Sequence, residues 1–131
     1  MSISIVQLGS PRRPGEGPRL GTVRRPPRGV PKSQYASRDF YDVWLPDLSP
    51  GPDTIKTFQR GEQTEAHWRR FEKRYRSEMK APERARLLAL LAALSKTANF
   101  SVGCYCEDER RCHRSILRML LREHGAALAE P

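Results

Sequence analysis

The sequence predicts a small α/β domain, a mainly parallel sheet flanked by helices, and three observations carry that prediction. At 131 residues the chain suits one hydrophobic core rather than two, so residues 1–131 are read as a single domain. Short apolar runs rich in β-branched residues stand near both ends and read as strands. The second half runs helix, strand, loop, helix, the order of a βα unit.

The elements follow in chain order. Ser2 to Leu8, with Ile3, Ile5 and Val6, is a short strand. Residues 9–32, GSPRRPGEGPRLGTVRRPPRGVPK, form a basic loop region: prolines remove amide donors and glycines cost backbone entropy, leaving room only for a brief strand at Leu20 to Val23. In Tyr35 to Pro50 the side chains of Phe40, Trp44 and Leu48 are expected to line one side as core. Thr54 to Arg60 predicts a short helix capped by Asp53 and ended by Gly61. Thr64 opens an amphipathic helix with Trp68, Phe71, Tyr75 and Met79 at helical spacing. Its other sides carry Arg69, Arg70, Lys73, Arg74 and Arg76, a solvated face or a nucleic-acid contact. Pro82 and Glu83 start ERARLLALLAALSK, apolar enough that much of its circumference should be buried. Asn99 to Cys106 reads as a strand, and Cys112 to His124 as a helix closed by Gly125. No internal repeat is visible.

Composition narrows the function classes. No apolar run reaches the roughly 18 residues of a membrane span. The start, MSISIVQLGSPRR, lacks the pattern of a secretory signal, so a cytoplasmic location is expected. Three cysteines are too few for a disulfide framework, and clustered thiols in a reducing compartment point to metal or chemistry. The net charge of +9 is mostly arginine, since only Lys32, Lys56, Lys73, Lys80 and Lys96 are lysines. Guanidinium forks suit phosphates and carboxylates, so the expected partner is an anionic small molecule or a nucleic acid. A coding bias toward arginine would give the same composition.

Gly103 to Leu121, GCYCEDERRCHRSILRMLL, holds all three cysteines together with His113, and it admits three readings. Cys104, Cys106, Cys112 and His113 are competent zinc ligands, but adjacent Cys112 and His113 should diverge at a helix start, so no metal or cofactor is assigned. A strand ending at Cys106, a turn and a helix starting at Cys112 or His113 would aim free N–H groups into a crevice near Arg110, Arg111 and Arg114. Glu107, Asp108 and Glu109 would repel an anion there unless turned outward or used as caps. In the third reading, Cys112 at a helix N-terminus is the best nucleophile candidate, with His113 as acid or base and Cys104 a buried small hydrophobe.

These residues also carry a resemblance. RLGTVRRPPRGVPK resembles the R-x-L-V-D-R-x-W-P-R-G-[VI] segment of the YeaO-like family, catalogued as domain of unknown function 488. Arg24, Pro27, Arg28 and Gly29 keep their places, whereas Val23 and Pro26 replace its Asp and Trp. Asp42, Trp44, Leu45, Leu48 and Pro50 are similar to its D-x-W-L-x-x-L-x-P, and Trp68, Phe71 and Tyr75 to its W-x-x-F-x-x-x-Y helix. CYCEDERRCHR is similar to the branch with C-x-C-x-D-x-x-x-C-H-R. The resemblance implies the fold and a pocket around His113 and the arginines, and it brings no reaction with it.

The combined expectation is a ligand crevice between the 104–115 loop and the Arg24 to Gly29 loop that accepts a phosphate or other anion. Arg24, Arg28 and Arg114 would clamp the anion, Cys112 would be nucleophile or redox thiol, and His113 its base. The alternatives are a nucleic-acid-binding module without catalysis and a zinc-binding Cys/His site.

Overall fold

Residues Phe100–Cys104 are buried at every position, as a strand with neighbours on both sides must be. In the computed structural model, which describes residues 1–130, this strand is β4. It lies between β1 (Ile3–Gln7) and β2 (Arg19–Gly21), and β3 (Val43–Trp44) completes the sheet in the order β1-β4-β2-β3. All pairings are parallel, with Ile3 opposite Phe100 and Gly21 opposite Gly103. Helices α1 (Pro52–Arg60), α2 (Glu65–Glu78), α3 (Pro82–Leu94) and α4 (His113–Glu123) flank it. The architecture is the small parallel α/β domain expected. Among the described residues no helix is long and apolar enough to cross a membrane.

Parallel strands need a long crossover, and between β1 and β2 the proline-rich arm supplies it in place of a helix. Arg19 makes this possible. Its guanidinium, 1% exposed, donates to Glu16 at 2.5 Å and to the carbonyls of Ser10 (2.8 Å), Asp39 (2.6 Å) and Pro11 (3.3 Å). Glu16 also accepts from the Arg13 amide at 3.0 Å and the Ser101 hydroxyl at 2.9 Å. The arm is therefore tied to strands β2 and β4. Gly17 lets it pass: φ is +79°, and a Cβ there would lie 2.0 Å from the Asn99 carbonyl oxygen.

The main core gathers Val102 of β4, Phe71 and Tyr75 of α2, Leu88 of α3, and Ile116 and Leu117 of α4. A second, smaller cluster joins Leu8, Val23, Tyr41, Cys104 and Cys112. The helical caps agree with the sequence in two places: Thr64 accepts from the His67 amide at 3.1 Å, and Gly125 closes α4 with φ +89°.

Four local expectations need correction. The brief strand sits at Arg19–Gly21, because Arg19 is drawn into the sheet by Glu16. Helix α1 starts at Pro52 after Gly51, whose amide is satisfied by Glu78 at 2.9 Å, so Asp53 lies in the first turn and caps nothing. Phe40, Trp44 and Leu48 separate: Leu48 enters the main core and Phe40 packs on the smaller one, while Trp44 stays 44% exposed and donates to the Val23 carbonyl at 2.8 Å. Helix α3 buries Leu88, Leu91 and Ala92 but leaves Leu90 and Leu94 exposed, so it is covered on one side only.

Candidate functional site: a cysteine-floored, arginine-walled crevice

The end of β4 and the bend after it set the first two sulfurs. Cys104 ends β4, and the sulfur of Cys106 two residues on lies within 4.8 Å of it, while Tyr105 between them donates its hydroxyl to the Arg25 carbonyl at 2.8 Å. A one-turn 3-10 helix, Glu109–Arg111, then reverses the chain. Asp108 caps it by accepting from the Arg110 amide at 3.0 Å, and Glu109 pairs with Arg118 of α4 at 2.7 Å. These two acids are thus spent on building the loop. Cys112 follows as the extended N-cap residue of α4, and its sulfur turns back to 2.6 Å from that of Cys104. All three sulfurs lie within 4.8 Å of one another, the only such ligand group among the described residues.

The adjacent residues point elsewhere, as their neighbourhood at a helix start implies. His113 Nε2 lies 2.8 Å from the Thr22 carbonyl oxygen, which only accepts, so Nε2 carries the proton. Nδ1 then presents a lone pair at 3.8 Å from Cys112 Sγ. Burial pushes His113 down to about 4, outweighing the Thr22 bond, and the ring is neutral near pH 7. Arg114 is 3% exposed and donates to the Cys106 carbonyl, leaving its Nε without a partner among the described residues.

The sulfurs differ in exposure: Cys104 and Cys112 are buried, and Cys106 is exposed. They share one region of charge. Bonds from Cys104 and Cys112, helped by the nearby cation of Arg114, hold Cys106 well below the ordinary thiol range. Bonds to Cys106 and Cys112, followed by burial, push Cys104 up. For Cys112 the Cys104 bond acts downward, but the Cys106 bond and burial prevail and raise it.

Above this floor opens a cavity of about 760 Å³ at the carboxyl ends of β2 and β4, where open α/β sheets place ligands. Arg24, Arg25 and Arg28 line one part, α1 contributes Lys56 and Phe58, and the cysteine loop contributes Arg111. Among the described residues no Asp or Glu lines it. Arg24 is aimed by bonds of 3.2 Å to the carbonyls of Ser49 and Pro50, whereas Arg28 is exposed beside Gly29. Arg111 is stacked 5.4 Å above the Trp68 ring and paired with Glu65.

Of the expected site residues, Arg24, Arg28, Cys112 and His113 come together at this cavity, and Arg114 does not line it. Arg114 turns beneath the loop because the Cys106 carbonyl offers its acceptor there. Sequence reasoning missed Lys56, an ordinary exposed lysine with no distinguishing signal.

These features define a small parallel α/β domain with a thiol-floored basic crevice at its strand ends. The chain belongs to the DUF488 family: residues 3–125 match the family model described as the active DUF488-N3 subclade. No curated protein matches it, and no solved structure does.

Proposed function

We propose that the crevice binds a phosphate-type anion and presents it to the cysteine cluster. One observation carries this reading: Arg24, Arg25, Arg28, Lys56 and Arg111 share a cavity with all three cysteines, and among the described residues no carboxylate lines it. In the reading, Arg24 is the fixed half of the clamp and Arg28 the movable half. Arg114 is a positioning residue that acts through the Cys106 carbonyl. The anion meets Cys106 first, because Cys112, the expected nucleophile, is buried behind it with His113 Nδ1 at its sulfur.

Calorimetric titration with inorganic phosphate tests the clamp. A charge-assisted hydrogen bond contributes about 1.5–3 kcal/mol, so Arg28→Ala is expected to weaken binding about 10- to 100-fold. Phosphate should also slow alkylation of Cys106 by iodoacetamide. Phosphate affinity unchanged in the Arg24→Ala/Arg28→Ala double variant would overturn the reading. A nucleic-acid partner would engage the exposed Arg69, Arg70, Lys73 and Arg74 of α2 as well, and its affinity would fall steeply with salt.

A further inference from the structure

We infer that Cys104, Cys106 and Cys112 together form a site for a thiophilic divalent cation of the zinc class, with a fourth coordination position facing the crevice. The inference concerns the floor of the same crevice but does not require that phosphate bind there.

Geometry comes first. Sulfurs on a tetrahedral zinc, with Zn–S about 2.3 Å, stand about 3.8 Å apart. The cluster is compact enough for that spacing: every sulfur is within 4.8 Å of the others, and the 2.6 Å between Cys104 and Cys112 would have to widen. A bound ion would have to part the close pair, while Cys106, exposed on the loop after β4, already lies within reach of both. The ligands come from a strand end, the following loop and a helix N-cap, and the intervening turn is already braced by Asp108 and by the Glu109–Arg118 pair.

Charge points the same way. Three thiolates around a divalent cation carry a net charge of −1. Beside them lies the guanidinium of Arg114, 3% exposed, which among the described residues has no hydrogen bond to a carboxylate: it donates to the Cys106 carbonyl, its Nε is unpartnered, and nearby Glu109 is engaged by Arg118. A buried cation is costly without a counter-charge, and the metal-loaded sulfur cluster supplies one of matching magnitude. His113 stands at the rim, its Nε2–H fixed on Thr22, which orients the ring next to Cys112. The remaining position opens toward the basic cavity, where water or an anion would occupy it.

The test is a titration of the reduced, full-length chain with Co2+, followed by absorption. We expect thiolate-to-cobalt charge transfer in the near ultraviolet and the visible bands of a tetrahedral site, saturating at one equivalent and displaced by Zn2+. Cys106 is exposed, so Cys106→Ser should keep the circular dichroism of the parent and lose these bands. Arg28→Ala should retain them, and in the parent phosphate should shift the visible bands through the open position. Absence of charge-transfer absorption would overturn the inference, as would bands that persist in Cys106→Ser or a metal shared by two chains in sedimentation. Bands without any phosphate binding would leave the metal site standing and remove the anion reading. Phosphate binding without bands would do the reverse.

Discussion

Replacing Arg19 by Met should unfasten the amino-terminal arm. The side chains are similar in reach, so the loss is of donors rather than volume. What remains is the Glu16 carboxylate, its side chain 3% exposed, with only the Arg13 amide and Ser101 hydroxyl as partners, and three carbonyls stripped of a donor. Removing one member of a buried pair costs about 3–5 kcal/mol, a large share of the roughly 5–15 kcal/mol that holds such domains folded. With an m-value of about 1.5 kcal/mol per molar, the urea midpoint at pH 7 should fall by about 2–3 M. The pH dependence adds an independent check. Burial alone would raise Glu16, but the bonds from Arg19, Arg13 and Ser101 outweigh it and hold the carboxyl below its ordinary 4.5. Its contribution is therefore complete above about 4.5 and is lost as pH falls through the depressed folded value. In Arg19→Met the orphaned carboxyl instead gains from protonation, so the gap between parent and variant should narrow in acid. Adding Glu16→Gln to that variant should recover part of the loss at pH 7. A loss below about 1 kcal/mol at pH 7, or a gap that stays constant into acid, would refute the reasoning.

Gly17→Ala should be among the most damaging small substitutions, because both the positive φ and the Asn99 carbonyl forbid a Cβ; a thermal melt should show a loss above about 3 kcal/mol or no folded protein. Tyr75→Phe removes a buried hydroxyl that donates to the Leu48 carbonyl at 2.6 Å, and chemical denaturation should register a cost of about 1–3 kcal/mol. Leu90→Ser and Leu94→Ser on the uncovered side of α3 should change stability by no more than about 0.5 kcal/mol in the same assay.

The helices and the central strand were legible because each is dictated by neighbours in sequence. Thr64 caps the residue three places on, Phe71, Tyr75 and Met79 repeat on one face, and Gly125 accepts the left-handed turn that ends α4. The cysteine loop was legible as a cluster for the same reason, since its members are close in the chain. Asp53 misled because a good cap residue one place beyond a proline loses to Gly51, whose amide finds Glu78 on a different helix.

By itself, then, the sequence determined that helices occupy the stretches of α2, α3 and α4, that a strand precedes the cysteine loop, and that sulfur, imidazole and arginine share one end of the fold. Tertiary structure alone decided which arginine does what. Arg19 reads as one more charge in a basic arm, yet it becomes the buried anchor because Ser10 and Glu16 of that arm and Asp39 of the loop after β2 converge on it. Arg114 reads as a clamp, yet it turns inward to the Cys106 carbonyl, while Lys56 and Arg111 reach the cavity wall. The physical reason is that a guanidinium is defined by its acceptors, and the folded path of the chain decides which acceptors it meets. The sulfurs follow the same logic: Cys112 meets Cys104 only because α4 folds back over the end of β4.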